Sequence, residues 1–270
     1  MSPFPTRRVF TLRQRERLSA FTLPKLRERF AFTLVEIMLV IGIIAILMVL
    51  IAPAFTNLKG AGDVTSAAYT IKGVLDQART YANANNTYVW VGFYEENVSQ
   101  PSPNSTTPKI GRLVMSVVAS NDGTIIYTSS APGTIDPTRL LQVGKLTKID
   151  NVHLWTHTDT PLTPTGSTFG ARPNVPSTYC IGDTNPAGTL FQYPVGSPAP
   201  APQYAFLKGV QFSPGGSAQV INATTSYSPQ TAAEIGLEPT HGNVAPSSIP
   251  ANVVAIQLTG IGGNVKIYRR

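Results

Sequence analysis

Apolar and polar positions change their rhythm three times along the chain. Residues 1–30 alternate short apolar pairs with arginines and lysines. From Ile37 to Phe55, "IMLVIGIIAILMVLIAPAF", nineteen residues pass without a charge. Downstream, Ala67, Ala68, Ile71, Leu75, Ala78 and Ala82 recur at spacings of three and four, as on one helix face. Beyond residue 86 the period shortens to two. "TYVWVGFY" is rich in β-branched and aromatic residues and predicts a strand. "RLVMSVVAS" and "TIIYTSS" predict a hairpin about Asn121-Asp122-Gly123. "YAFLKGVQFS" and "SAQVIN" predict a second about Pro214-Gly215-Gly216, and "NVVAIQLTG" and "NVKIYRR" a third about Ile261-Gly262-Gly263. Helix first and strands after is an α+β pattern. The expected fold class is therefore α+β: a long N-terminal helix, transmembrane in its first half, packed on a mainly antiparallel β-sheet.

The first apolar run has the length of a membrane span, for which roughly 20 residues are needed. Eight basic residues precede it, and Lys59 is the first basic residue after it. The positive-inside rule then places residues 1–30 in the cytoplasm and the body outside. Two simpler readings are a secretory signal peptide, with small residues at Ala52 and Ala54 offering a cut, and a plain signal anchor. Neither accounts for Glu36, since a lone carboxylate in lipid costs about 2.5–3.5 kcal/mol at mid-depth. A cut between Ala31 and Phe32 would create an α-amino group about one helical turn from Glu36, close enough to neutralise it within the chain or in a neighbouring copy. The second half is expected to continue as helix, with Lys72 and Asp76 paired at i,i+4, weak points at Gly60 and Gly62, a kink at Pro53, and a stop at "NANN", Asn83 to Asn86.

Charge changes the picture of the body. The net charge is +7, of which residues 1–30 carry +6 and residues 31–270 only +1. A near-neutral body argues against nucleic-acid binding by the folded part. Cys180 is the only cysteine, so no intramolecular disulfide is possible. His153 and His157 lie four apart in "NVHLWTHTDT", which reads as strand or loop, and are expected at the surface or a sheet edge rather than on a metal. No cofactor is expected. The sequence carries no GxSxG, HExxH, P-loop or GxGxxG; Asp159 near His157 marks no nucleophile, and Cys180 is expected to be a buried structural thiol. Catalysis is not expected. Trp90, Tyr94 and Phe212 are expected in the sheet core. Asn97-Val-Ser and Asn222-Ala-Thr match glycosylation acceptors. Long polar stretches rich in Pro, Ser and Thr, among them "NVSQPSPNSTTPK" and "PVGSPAPAPQ", are expected as loops.

"AFTLVEIMLVIGIIAIL", from Ala31 to Leu47, closely resembles the class III signal of type IV pilins and type II secretion pseudopilins: a small residue, then phenylalanine, threonine, leucine, an apolar residue and glutamate. Ala31 stands where glycine is commoner. An earlier AFTL, Ala20 to Leu23, lacks both the glutamate and the apolar run. The resemblance implies the pilin fold, cleavage by a prepilin peptidase between Ala31 and Phe32, N-methylation of Phe32, and pairing of Glu36 with a neighbour's Phe32 amine. Pro53 falls where these proteins often carry a helix-bending proline. "LDQARTYANANNTYVWVGF" and the closing "VVAIQLTGIGGNVKIYRR" resemble H-type minor pseudopilins by pattern. The implied organisation is a cytoplasmic leader at 1–31, a filament-core helix at 32–56, its amphipathic continuation at 57–86, and a periplasmic or extracellular β-rich body at 87–270. The implied role is a structural subunit of a secretion pseudopilus or type IV pilus, lodged in the bacterial inner membrane before assembly. Its partners would be other pilin or pseudopilin subunits, the prepilin peptidase, the inner-membrane assembly platform and the lipid bilayer. The alternative is an anchored or tip binding module whose loops recognise secreted substrate, a surface or DNA.

Overall fold

The structure, a computed structural model, describes residues 32–99, 109–125, 135–157, 169, 171–196, 202–222, 230–247 and 250–270, without the side chains of 50–59 and 222. Two compact units divide the chain, Met1–Val49 and Leu50–Arg270. The division falls inside helix α1, Leu34–Ala84.

In the second unit, helix residues Val64, Ala67, Ala68, Ile71, Leu75, Ala78 and Ala82 are all buried and join one face of the sheet in the main core. Four of the seven are alanines, which brings the helix backbone close to the strands. Lys72 and Asp76 pair on the solvent side at 2.9 Å. The helix stops where Asn86 adopts a left-handed conformation (φ +48°), which asparagine tolerates. The Thr87 N–H then donates back to the Ala82 carbonyl at 3.0 Å.

Twelve strands follow: β1 (Val89–Asn97), β2 (Gly111–Ser120), β3 (Leu140–Gln142), β4 (Thr147–Leu154), β5 (Cys180–Ile181), β6 (Phe191–Tyr193), β7 (Tyr204–Phe206), β8 (Lys208–Phe212), β9 (Ala218–Asn222), β10 (Ala232–Pro239), β11 (Val254–Thr259) and β12 (Val265–Arg269). Ten form one sheet with the path β12-β11-β10-β4-β2-β1-β8-β9; β3 joins β2 and β5 joins β10, while β6 and β7 make a separate ribbon. All pairings are antiparallel except β5 with β10. Two 3-10 turns, Pro137–Arg139 and Ser177–Tyr179, complete the described elements.

β1 lies between β2 and β8 and is buried on both faces. Val89, Val91 and Phe93 face α1, while Trp90 and Tyr94 belong to a second core with Phe191, Tyr204 and Phe206. Gly92 sits between those two rings on the second face: a Cβ there would come within 2.5 Å of Phe191 and 2.7 Å of Phe206. Its missing side chain is what lets the stacked Phe191–Phe206 pair, 4.8 Å between centroids, lie flat on the strand. Phe212 is also buried, on the α1 side.

The expected fold class is corrected. The architecture is mainly β, a ten-stranded sheet with a two-stranded ribbon, and among the described residues no helix is long and apolar enough to cross a membrane. The β-branched and aromatic runs beyond residue 86 pair into one sheet that dominates the described residues, so strands rather than the helix set the fold class. The hairpin expected about Asn121-Asp122-Gly123 differs too: β2 ends at Ser120 and its last residues pair with β3, whereas residues 126–130 lie outside the described part. His153 and His157, expected at the surface or an edge, are both buried. His153 is inside because β4 is an interior strand, bracketed by β2 and β10.

Candidate functional site

At the start of α1, Thr33 is the N-cap: its Oγ1 accepts from the Glu36 N–H at 3.2 Å, and its carbonyl accepts from the Ile37 N–H at 3.2 Å. Thr33 and Glu36 thus hold the two positions of a capping box, and Phe32 and Ile37 those of a hydrophobic staple. Glu36, in the first turn, also meets the positive end of the helix dipole. The step from Thr33 to Glu36 within that signal therefore has a local task besides any intermolecular one: it starts the helix. Ala31 lies outside the described residues, as does the Pro53 side chain, though the helix is continuous through that position.

Every residue from 32 to 49 is exposed, Phe32 at 74% and Val49 at 76%. Past Glu36 this surface has no polar face. A helix apolar all round is ordinarily a buried helix; among the described residues this one is uncovered. Among the described residues, Glu36 has no ion-pair partner.

The body holds a different set of groups, which sequence reasoning missed. Glu95 and Glu96 are adjacent on β1, and both are buried. Glu95 accepts from the Leu154 N–H at 2.9 Å and lies 2.8 Å from His153 Nδ1. Burial pulls the His153 pKa down, but the hydrogen bond and charge of Glu95, with the charges of Glu238 and Asp183, outweigh it and raise it on balance. Glu238, beside His153 on β10, is raised chiefly by burial. Glu96 receives Arg112 at 3.2 Å, Lys148 at 3.1 Å and the Tyr204 hydroxyl at 3.0 Å. Glu234 meets Arg172 at 3.1 Å and Gln257 at 2.7 Å. Lys208, buried, donates to the carbonyls of Gly182 and Thr184; burial lowers its pKa. The one sequence signal was the pair of acids in an otherwise apolar run, "VWVGFYEEN".

Glu95, Glu96 and Glu234 are paired with cationic or polar side chains inside the sheet, whereas Glu238 Oε1 is buried with no hydrogen-bond partner among the described residues. His153 with Glu95 is an oriented imidazole. His157 bonds elsewhere, to the Val254 carbonyl at 3.2 Å. Cys180 is half-buried rather than fully buried; its thiol donates to the carbonyl of Pro176 at 3.4 Å, and burial pushes its pKa up to about 12, which suppresses the thiolate a nucleophile needs. Among the described residues no group of three or more His, Cys, Asp and Glu side chains could hold a metal ion. Asn97 sits at the half-exposed end of β1, and Asn222 is the last residue of β9. No known protein family, curated protein or solved structure matches the chain.

Proposed function

We propose that this protein is a pilin-like structural subunit, a minor pilin or type II secretion pseudopilin, which is cut before Phe32 and assembles through the apolar start of α1. The observation that carries the reading is the pairing of a capped helix start, Thr33 to Glu36, with a run to Val49 that is exposed and apolar on every side. Such a surface demands a cover, and identical helices supply one: close helix packing replaces lipid or water contact for each copy. Cleavage between Ala31 and Phe32 leaves the cap intact, because the cap begins at Thr33. The new amine stands next to the cap, where the Glu36 carboxylate of a neighbouring copy can neutralise it and set the axial register. Other subunits, a prepilin peptidase, the assembly platform and membrane lipid are the partners this chemistry requires. Before assembly the subunit is kept at the bacterial inner membrane with its body on the periplasmic side.

The helix-capping role of Glu36 makes its charge testable. Glutamine also fills the last position of a capping box. Glu36→Gln therefore keeps the helix start and removes the charge, whereas Glu36→Ala removes both. Loss of filament incorporation in Glu36→Gln, with a matured chain beginning at Phe32, is the expected result. Full incorporation of Glu36→Gln would leave the residue a cap only, and N-terminal sequencing that finds any other first residue would end the proposal.

A further inference from the structure

We infer that the cleft between the β8–β9 hairpin and the β11–β12 turn is a binding site for a neutral saccharide, one sugar ring in size. It does not rest on the assembly reading above. The cavity is about 190 Å³, and its polar lining is Gln211, Ser213, Ser217, Gln219 and Gln230, with Ile261 at the mouth. None of these is charged, so the lining offers amides and hydroxyls to a neutral ligand and nothing to fix an ion.

The amides form a row across the sheet. Trp90 Nε1 donates to Gln211 Oε1 at 3.1 Å, and Gln219 Nε2 donates to the same oxygen at 3.4 Å. That leaves Gln219 Oε1 buried with no hydrogen-bond partner among the described residues, on a side chain only 5% exposed. An unpaired buried acceptor is costly, and a ligand hydroxyl is the donor that relieves it after a turn about the soft terminal torsion of Gln219. Ser213 and Ser217, whose hydroxyls are 2.6 Å apart, add paired groups of the same kind.

The surrounding backbone argues for a compact ligand over an extended peptide. A peptide adding to a sheet edge needs free main-chain groups. On β9 they are taken: Ala218 N–H donates to the Gly260 carbonyl at 2.8 Å, and the Val220 N–H and carbonyl are both bonded to Gln230. Gly260 is what allows the turn to close in, since a Cβ there would fall 1.5 Å from the Gln230 carbonyl oxygen. What remains accessible is side-chain amide and hydroxyl set in a mostly apolar lining that includes Ala218 and Ile261.

The test is titration of the full chain, in a detergent without a sugar headgroup, with glucose, galactose and N-acetylglucosamine, read by ligand-observed saturation-transfer NMR. A blocked dipeptide serves as the peptide arm. At least one sugar is expected to bind saturably. Gln219→Leu should weaken it at least roughly tenfold. Ile261→Trp, at a position 90% exposed, should block the mouth without touching the core. No saturable sugar binding, binding unchanged in either folded variant, or binding of the dipeptide in place of the sugars overturns the inference. Should Gln219→Leu not fold, Ile261→Trp decides alone.

Discussion

Gln230 uses both ends of its side-chain amide on the backbone of Val220: Oε1 accepts from the N–H at 2.9 Å and Nε2 donates to the carbonyl at 3.2 Å. One side chain thereby does at the edge strand β9 what a further strand would do, and seals a row of groups that otherwise invites pairing with another chain. Gln230→Ala should cost about 1–3 kcal/mol, because it strands a buried donor and a buried acceptor. Gln230→Glu should restore only half, since a carboxylate cannot donate to the Val220 carbonyl. Urea denaturation measures the cost. Light scattering should show the alanine variant associating at concentrations where the parent does not.

His153 and Glu238 make stability depend on pH in one direction. Both have pKa values raised in the fold, so the fold favours their protonated forms. The Glu238 contribution is complete below the ordinary glutamate value and is lost as pH rises through its raised value. The His153 contribution is complete below about 6.5 and is lost as pH rises through the folded value above that. Stability should therefore decline from weakly acidic to weakly alkaline pH. His153→Gln should remove the part of the decline above pH 6.5, as read from denaturant midpoints across that range.

Gly92→Ala should destabilise by about 1–3 kcal/mol through overpacking, because the new methyl meets the rings of Phe191 and Phe206. Near-ultraviolet circular dichroism should change along with the melting temperature, since the stacked aromatic pair must move. An unaltered aromatic signal would show that the ring contact is not what makes glycine necessary there.

Cys180 should react slowly. With its pKa pushed up to about 12 by burial, iodoacetamide at pH 8 should alkylate it far more slowly than a free thiol of ordinary pKa near 8.5. Mild urea short of unfolding should not change the rate, and full unfolding should restore it. Mass spectrometry of the alkylated chain follows this directly.

Sequence periodicity located the buried stripe of α1 from Ala67 to Ala82, the β8–β9 hairpin and the closing β11–β12 hairpin, because each is written in local spacing and turn residues. Trp90, Tyr94 and Phe212 were legible as core for the same reason. β10 was not. "AAEIGLEP" lacks the β-branched run of a strand, and its place in the sheet comes in part from neighbours far away in sequence, β4 and β5. The acids were missed through the same blindness. Glu95 and Glu96 are sheltered because cations on β2 and β4 and a tyrosine on β7 arrive to meet them, and partners so distant leave no local mark. His153 was placed outside for want of knowing that β4 has strands on both sides. At the N-terminus the sequence pattern named Glu36 for its charge, and only the geometry showed that the same spacing also caps the helix.

The chain passes from α1 into β1, which lies mid-sheet and is paired along its whole length with β2 and over Val89–Phe93 with β8. Tension applied along the helix would therefore reach the body at an interior strand held by two ladders, so that many hydrogen bonds must fail before it is freed. Had the helix run into β12 or β9, the same pull could have peeled a margin away bond by bond. The connection order thus makes any pull on the helix meet an interior strand before it meets a margin of the sheet.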